Sequence, residues 1–183
     1  YHKSKLVVGV ENFPYQSILK PVLGDVMLDL GGTVSMKTTQ ENRVAFTGTD
    51  GTKVGPVICY ESVYGDFVTG YVQEGAQFLA IITNDAWWGN TQGHKQHLNY
   101  ARLRAIETRR SIARSANTGI SAFIDQKGVI TKELGYGLRG SLKGTINTND
   151  RLTFYVRYGD YLAKLAFIPA IVLLVLSFFR KPK

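Results

Sequence analysis

Cysteine is almost missing from this chain of 183 residues, which contains only Cys59. A single cysteine excludes an internal disulfide, and it excludes zinc sites built from several cysteines. Histidine is also scarce, at three residues. His94 and His97 are three apart and could share a helix face, but no third ligand stands out beside them. We therefore predict no metal site and no cofactor.

Runs of lysine and arginine interleaved with aromatic residues are absent as well, although the chain carries a net charge of +8 and has ten Tyr and nine Phe. Such runs are expected of a nucleic-acid groove, so we predict no nucleic-acid partner. The charge is also compatible with an anionic membrane surface. At the start, Tyr1 is preceded by no initiator methionine or charged-then-apolar leader. This predicts no signal peptide and a chain that is a piece of a longer one.

What the chain does contain is a cysteine at the end of a predicted strand. The stretch G-P-V-I-C-Y-E at 55–61 begins with β-branched and apolar residues, and a turn follows it. A thiol in this position can be held rigidly and still reach a ligand, while backbone N–H groups beyond it can stabilise an oxyanion. The alternative is a small buried hydrophobe, because free cysteine is often buried.

The following residues predict a strand–helix–strand unit, with a strand at 53–60, a helix at 64–74 and a strand at 78–83. The second strand, F-L-A-I-I-T, is continuously apolar, which predicts burial on both faces. N-D-A-W-W-G at 84–89 comes directly after it. Ligands in open α/β sheets lie beyond the carboxyl ends of strands. We therefore interpret Trp87 and Trp88 as the wall of an acyl or apolar pocket, with core packing as the alternative.

Hydrophobic spacing and turn residues predict the remaining elements. They are strands at 6–10, 43–47, 120–124, 129–133 and 141–146, helices at 15–20 and 96–113, a long loop over 22–52, and a linker at 153–159.

The last apolar run has a different character. Residues 165–179 carry no charge, and extension back to 161 gives nineteen residues, or ~28 Å of helix, close to the roughly 30 Å thickness of a bilayer core. The basic residues at 180–183 would then be cytoplasmic, with the domain on the other side. An amphipathic or core helix is the alternative.

Four motifs, in order along the chain, resemble those of one family. They are Y-H-K with E-N-F-P at 1–3 and 11–14, I-C-Y-E at 58–61, N-D-A-W-W-G at 84–89, and R-A-I-E with S-A-N-T-G-I at 104–107 and 115–120. The chain resembles the C-terminal part of bacterial apolipoprotein N-acyltransferases, membrane-embedded members of the nitrilase (carbon–nitrogen hydrolase) superfamily. The resemblance implies a partial nitrilase-like α/β domain at 1–158, an α-β-β-α sandwich incomplete at its N-terminal side. One transmembrane helix at 161–179 and a basic tail at 180–183 follow it.

The resemblance also implies the roles of individual residues. Cys59 is the nucleophile, Lys3 is the lysine of a Glu–Lys–Cys triad, and Glu11 and Glu61 are supporting acids. The substrate contacts it implies come from Tyr60, whose backbone N–H contributes to an oxyanion hole, and from Trp87, Trp88, Asn84 and Asp85. Two departures from the pattern concern Val8-Gly9-Val10, which stands where the family has P-F-G, and the triad glutamate. That glutamate precedes the lysine in the family, so we expect little or no turnover from the chain alone.

The implied reaction moves a fatty acyl chain from a phospholipid, through a Cys59 thioester, to the α-amine of a diacylglyceryl-cysteine lipoprotein. The expected partners are the phospholipid donor, the lipoprotein acceptor and the bilayer, and we expect a monomer. The implied location is the bacterial inner membrane, with the catalytic domain on the periplasmic side. Two alternatives stay open: a membrane-tethered amidase or nitrilase that gives the thioester to water, and a non-catalytic scaffold in which Cys59 is only buried.

Overall fold

The structure is a computed structural model that describes residues 1–7, residue 11 and residues 39–179. The predicted strand at 6–10 lies partly outside these residues, and the predicted helix at 15–20 and the basic tail lie wholly outside them. Six strands within the described residues form one sheet, in the spatial order β1 to β6. They are β1 (Phe46–Thr47), β2 (Lys53–Ile58), β3 (Phe78–Asn84), β4 (Ile112–Asn117), β5 (Ser121–Ile124) and β6 (Ile130–Leu134).

The middle of the sheet is parallel. β2, β3 and β4 run in the same direction, while β1, β5 and β6 are antiparallel to their neighbours. The carboxyl ends of the parallel strands therefore meet at one edge. The predicted strand–helix–strand unit is confirmed as β2, helix α1 (Gly65–Gln73) and β3, and helix α2 (Gln92–Thr108) leads into β4.

The core lies between the sheet and these two helices. Buried side chains from both layers form one cluster, which includes Val57, Leu79, Ile81, Ile112, Val68, Tyr71, Leu98 and Ala101. Along β3, however, buried residues alternate with more exposed ones, and Ile82 is 59% exposed. The prediction that this strand is buried on both faces is wrong in the described structure, because α1 and α2 cover only one face.

The predicted helix at 96–113 is wrong at both ends. α2 begins at Gln92 and ends at Thr108, and Arg109 then takes a left-handed conformation with φ 52°. The residues that follow form β4, which pairs with both β3 and β5. Arg110, which lies within the predicted helix, and Arg114, which follows it, are both buried. Arg110 donates to the backbone oxygen of Ala76 at 2.7 Å, so its charged group is satisfied inside the fold.

Three further predictions differ from the structure. No strand forms at 141–146, where most side chains are exposed and the chain is irregular. The predicted linker contains the short helix α3 (Phe154–Tyr158), whose first turn is capped by the Thr153 hydroxyl, an acceptor for Val156 N–H at 3.1 Å. The predicted strand at 43–47 is reduced to β1, because only its last two residues pair with β2.

The final helix α4 (Tyr161–Phe179) stands apart from the core. It has 19 residues, and its most apolar window of 18 residues has a mean hydropathy of 2.4 and no buried residue. The helix therefore has the length and composition to cross a membrane, and it contributes nothing to the core among the described residues. Within the described residues the alternative of a core helix is wrong, and a membrane span stays a prediction.

Candidate active site

Cys59 lies where β2 ends, at the edge where the parallel strands finish. It is a free, half-buried cysteine and opens a short 3-10 turn (Cys59–Val63). Its φ angle is 51°, in the left-handed region that non-glycine residues rarely occupy. Holding a residue there costs of order 1–3 kcal/mol, which the surrounding contacts must offset. Cys59 therefore lies at a strand end, where the sequence places it, and its role as a nucleophile stays a prediction.

Glu61 is fully buried beneath this turn and accepts four hydrogen bonds from residues that the structure describes. Its Oε1 accepts from Ser4 N–H at 2.6 Å and from the Tyr1 hydroxyl at 2.9 Å. Its Oε2 accepts from Ile58 N–H at 2.8 Å and from the Tyr71 hydroxyl at 3.0 Å. The carboxylate therefore fastens the first residues of the chain to the turn that carries Cys59. Since it has no exposed surface here, it acts on the backbone rather than facing solvent.

Lys3 belongs to the segment that Glu61 holds. Its Nζ lies 2.5 Å from Glu11 Oε2, and the two side chains are 13% and 19% exposed. The same Glu11 oxygen accepts from Val7 N–H at 2.8 Å. The structure thus joins Lys3 to Glu11 directly. It joins the Lys3 segment to the Cys59 turn through Tyr1 and Ser4, the residues on either side of His2 and Lys3.

Asp85 follows the neighbouring strand β3 and is also fully buried. Its Oδ1 lies 2.9 Å from His97 Nδ1 and accepts from the Thr83 hydroxyl at 2.9 Å. Its Oδ2 accepts from Arg114 Nη2 at 2.6 Å. Burial by itself raises the pKa of the Asp85 carboxyl. The hydrogen bond from His97 and the charge of Arg114 outweigh this and lower the pKa from 3.8 to about 2.

This second network contacts the backbone carbonyl oxygen of Cys59. His97 Nε2 lies 3.0 Å from the Ser62 hydroxyl oxygen and 3.2 Å from the backbone oxygen of Cys59. The Ser62 hydroxyl donates to the same backbone oxygen at 2.8 Å. Sequence reasoning missed His97, Ser62 and Arg114 as parts of the site. The only signal was the spacing of His94 and His97, which we considered for metal binding and set aside.

His94 takes a different place. It is buried, its Nδ1 lies 3.2 Å from the backbone oxygen of Gly89, and its ring stacks on Tyr136 with centroids 4.4 Å apart. His94 therefore faces away from the Asp85 network although it is only one helical turn from His97. The two histidines therefore lie on one helix, as their spacing predicts, but they contact different partners.

The two tryptophans separate. Trp87 is 71% exposed, whereas Trp88 is half-buried and packs edge-on against the His97 ring with centroids 5.0 Å apart. The side-chain oxygen of Asn84 accepts from Ala86 N–H at 3.2 Å and shapes this turn, and Tyr60 packs edge-on against Tyr64. Contacts of Tyr60, Asn84, Asp85, Trp87 and Trp88 with a substrate stay predictions. The Asp85 carboxylate is already bound by Thr83, His97 and Arg114.

The sequence model of the carbon-nitrogen hydrolase family matches residues 1–151. The chain belongs to this family. Among solved carbon-nitrogen hydrolase relatives, a cysteine-to-alanine mutant of the Nesterenkonia amidase from the nitrilase superfamily has a TM-score of 0.54 over 91% of this chain and 55% of that chain, at 14% identity. At that identity the likeness concerns the fold, and it confirms the predicted nitrilase-like α/β fold.

Two curated relatives share more sequence identity with this chain than the amidase does. The apolipoprotein N-acyltransferase of Chlorobaculum tepidum is 35% identical over 99% of this chain and 34% of its own length. That of Rhizobium meliloti is 40% identical over 75% of this chain and 25% of its own length. The predicted resemblance is therefore confirmed, and this carbon-nitrogen hydrolase chain spans about a third of the length of the first relative.

Proposed function

We propose that this chain is the catalytic part of an acyltransferase that acylates lipoproteins at their N-terminal amine. The observation that carries the proposal is Cys59, half-buried and strained at a strand end, in a chain that also has an apolar helix with no buried residue in its apolar window. In this proposal Cys59 is the nucleophile, and α4 would bring it to a lipid surface. The similarity to apolipoprotein N-acyltransferases supports the same reading.

The proposed chemistry has two acyl transfers. The Cys59 thiolate attacks the ester carbonyl of a phospholipid, a C–S bond forms, and the carbonyl oxygen becomes an oxyanion. The ester C–O bond then breaks, and the lysophospholipid leaves as an alcohol with the proton that the thiol gave up. The free α-amine of a diacylglyceryl-cysteine lipoprotein next attacks the thioester. The C–S bond breaks, an amide forms, and the amine proton passes to a base.

Lys3 and the Tyr60 backbone N–H are the proposed oxyanion donors. Glu11 would keep the Lys3 ammonium in place, because the two groups form a close ion pair. Glu61 would hold the whole segment against the turn. The resemblance places the general base ahead of Lys3, so the test must include a form of the protein extended at that end. The proposed setting is the bacterial inner membrane with the domain on the periplasmic side.

Intact-mass measurement of the chain in phospholipid–detergent micelles tests the first transfer. We expect a gain of one fatty-acyl mass that hydroxylamine removes and that is absent from Cys59→Ser. The measurement is made on the chain as given and on the chain extended by the corresponding upstream residues of a relative. Absence of the adduct from both forms would refute the proposal.

Addition of a synthetic diacylglyceryl-cysteine peptide tests the second transfer. We expect loss of the adduct from Cys59 with the matching mass appearing on the peptide amine. Loss of the adduct to water, with no acylated peptide, would instead assign the chain to a membrane-tethered hydrolase.

Lys3→Met tests the oxyanion donor. Removal of one such donor typically lowers the rate by about 10²–10³, and we expect thioester formation to slow by that order. Lys5→Met is the matched control, since Lys5 is an exposed lysine of the same segment whose ammonium lies over the Phe67 ring. Equal loss in the two variants would contradict a specific part for Lys3.

A further inference from the structure

The peptide between Cys59 and Tyr60 is held at its carbonyl oxygen by two side chains, those of Ser62 and His97, which sequence reasoning missed. Its carbonyl oxygen accepts from the Ser62 hydroxyl at 2.8 Å and lies 3.2 Å from His97 Nε2. This peptide is trans, since the described residues contain no cis bond. The carbonyl and the N–H of a trans peptide point in opposite directions. Fixing the Cys59 carbonyl toward His97 therefore turns the Tyr60 N–H the other way.

His97 is able to fix that carbonyl because its own ring is fixed at the far side. Its Nδ1 lies 2.9 Å from Asp85 Oδ1, and a carboxylate oxygen can only accept, so Nδ1 is the donor there. The backbone oxygen of Cys59 can likewise only accept, so Nε2 is also a donor, and a ring that donates from both nitrogens carries a proton on each and a positive charge. The Ser62 hydrogen goes to the Cys59 oxygen, so the Ser62 oxygen can also accept from Nε2 at 3.0 Å. Arg114 holds Asp85 in turn. The His97 ring is thus a bridge held by Asp85 at Nδ1 and by Ser62 and Cys59 at Nε2, and it has little freedom to rotate.

The φ angle of Cys59 makes such a bridge necessary. A left-handed residue with a side chain relaxes unless its neighbours hold it. Relaxation would rotate the peptide plane and carry the Tyr60 N–H away from the thiol. Hydrogen bonds to the carbonyl also polarise the peptide and strengthen its N–H as a donor.

We propose that His97 is a positioning residue that orients the Cys59–Tyr60 peptide, so that the Tyr60 N–H points at the oxyanion formed when Cys59 attacks an acyl group. The inference rests on the proposed function, since it concerns the oxyanion donor proposed there for the same nucleophile. Asp85 and Arg114 serve it by fixing the His97 ring, and neither touches the reacting atoms.

Two substitutions separate the ends of the bridge. In His97→Gln the side-chain amide reaches the place of Nε2 and keeps a donor for Cys59 and Ser62, while the bond to Asp85 is lost. In His97→Asn the amide reaches only the place of Nδ1, so the bond to Asp85 is kept and the donor to Cys59 is lost. A purely structural role predicts that acylation follows the stability of the two variants. The positioning role predicts that His97→Gln acylates faster than His97→Asn, whichever is more stable.

The readout compares two reactions of the chain's single cysteine in detergent. Acylation by a p-nitrophenyl ester forms an oxyanion, whereas alkylation by iodoacetamide does not. We expect the ratio of acylation rate to alkylation rate to fall roughly 10- to 100-fold in His97→Asn and only a few-fold in His97→Gln. His94→Asn, which alters a buried histidine one turn earlier on α2, should leave the ratio unchanged.

The outcomes are distinct from those of the proposed function. If no phospholipid thioester forms but the ratios follow this order, the lipid substrate is wrong and the positioning role stands. Equal ratios in His97→Asn and His97→Gln would overturn the inference. So would a wild-type ratio no higher than that of free cysteine, because there would then be no oxyanion donor to position.

Discussion

Two carboxylates end neighbouring strands of the sheet, and they are held in opposite ways. Glu61 follows β2 and Asp85 follows β3, and both are fully buried. Among the described residues, Glu61 accepts only from neutral donors, two backbone N–H groups and two tyrosine hydroxyls. Asp85 is bound by the Arg114 guanidinium and by the His97 ring. The same position in the fold therefore carries two different kinds of buried anion.

The difference corresponds to what each carboxylate connects. Glu61 holds a separate piece of chain, the Lys3 segment, against the turn that carries Cys59. It does so through hydrogen bonds from the backbone N–H groups of Ser4 and Ile58. Asp85 connects α2 to β4 and fixes a ring that contacts the nucleophile's own carbonyl. A charged partner makes the second network stiff, but it also makes the loss of one member costly. The predictions below test this contrast, beginning with the largest expected effect.

Asp85→Asn should be the most destabilising change. It leaves the Arg114 charge buried without a counter-charge, and breaking such a pair typically costs about 3–5 kcal/mol. The measurement is the free energy of unfolding of the full chain in detergent, by denaturant titration. Trp88, which packs on His97, supplies the fluorescence signal. Asp66→Asn is the control because Asp66 is exposed. A cost below about 1 kcal/mol would show that the network does not depend on the charge of Asp85.

The stability that Asp85 contributes should depend on acid pH. Its pKa is lowered in the folded chain, from 3.8 to about 2, so its contribution is complete above pH 4 and is lost as the pH falls toward 2. The shift corresponds to about 2 kcal/mol. We expect the difference in unfolding free energy between wild type and Asp85→Asn to shrink by that amount between pH 5 and pH 2. A difference that stays constant over this range would contradict the lowered pKa.

These contacts also mark where sequence reasoning succeeded and where it failed. The strand before Cys59, the helix after it and the strand before Asp85 follow from local apolar runs and turn residues, and all three are present. β4 was missed because R-S-I-A-R-S-A-N resembles the charged continuation of a helix. Its arginines are buried by partners far away in sequence, Ala76 for Arg110 and Asp85 for Arg114. The end of α2 carries no glycine signal either, since Arg109 takes the left-handed position.

The site residues show the same division between what local sequence motifs predict and what depends on contacts between distant parts of the chain. Cys59, Lys3, Glu11 and Glu61 could be named from a resemblance in motifs, and the structure joins Lys3 to Glu11 and the Lys3 segment to Glu61. The bridge from Asp85 through His97 to the Cys59 carbonyl could not be predicted. It depends on how α2 lies across two strand ends, which no local pattern of residues encodes.

Glu61→Gln should have the next largest effect. Each carboxylate oxygen of Glu61 accepts from one backbone N–H and one tyrosine hydroxyl. An amide nitrogen in place of one oxygen faces a backbone N–H that cannot turn away, at a cost of about 1–3 kcal/mol. We also expect faster tryptic cleavage after Lys3 and Lys5, because their segment loses its anchor. Glu133→Gln, at an exposed residue of β6, is the control. Unchanged cleavage would show that other contacts hold the segment.

Tyr71→Phe should be the mildest change, since it removes only one of the donors to Glu61. The Tyr71 hydroxyl donates to Glu61 at 3.0 Å and also contacts the Tyr1 hydroxyl. We expect a loss of about 0.5–1.5 kcal/mol in unfolding free energy. Tyr158→Phe, at a tyrosine that is 55% exposed, should cost less.

The pH behaviour of this variant distinguishes the two networks. Burial raises the pKa of the Tyr71 hydroxyl above its ordinary value of 10, so the group stays a proton donor through neutral and mildly alkaline pH. The cost of Tyr71→Phe should therefore be the same at pH 7 and pH 9.5, and it should be unaffected between pH 5 and pH 7. A cost that disappears on the alkaline side would mean that Tyr71 ionises in the folded chain. Glu61 would then be held by one donor fewer than the structure gives it, and the contrast with Asp85 would be weaker.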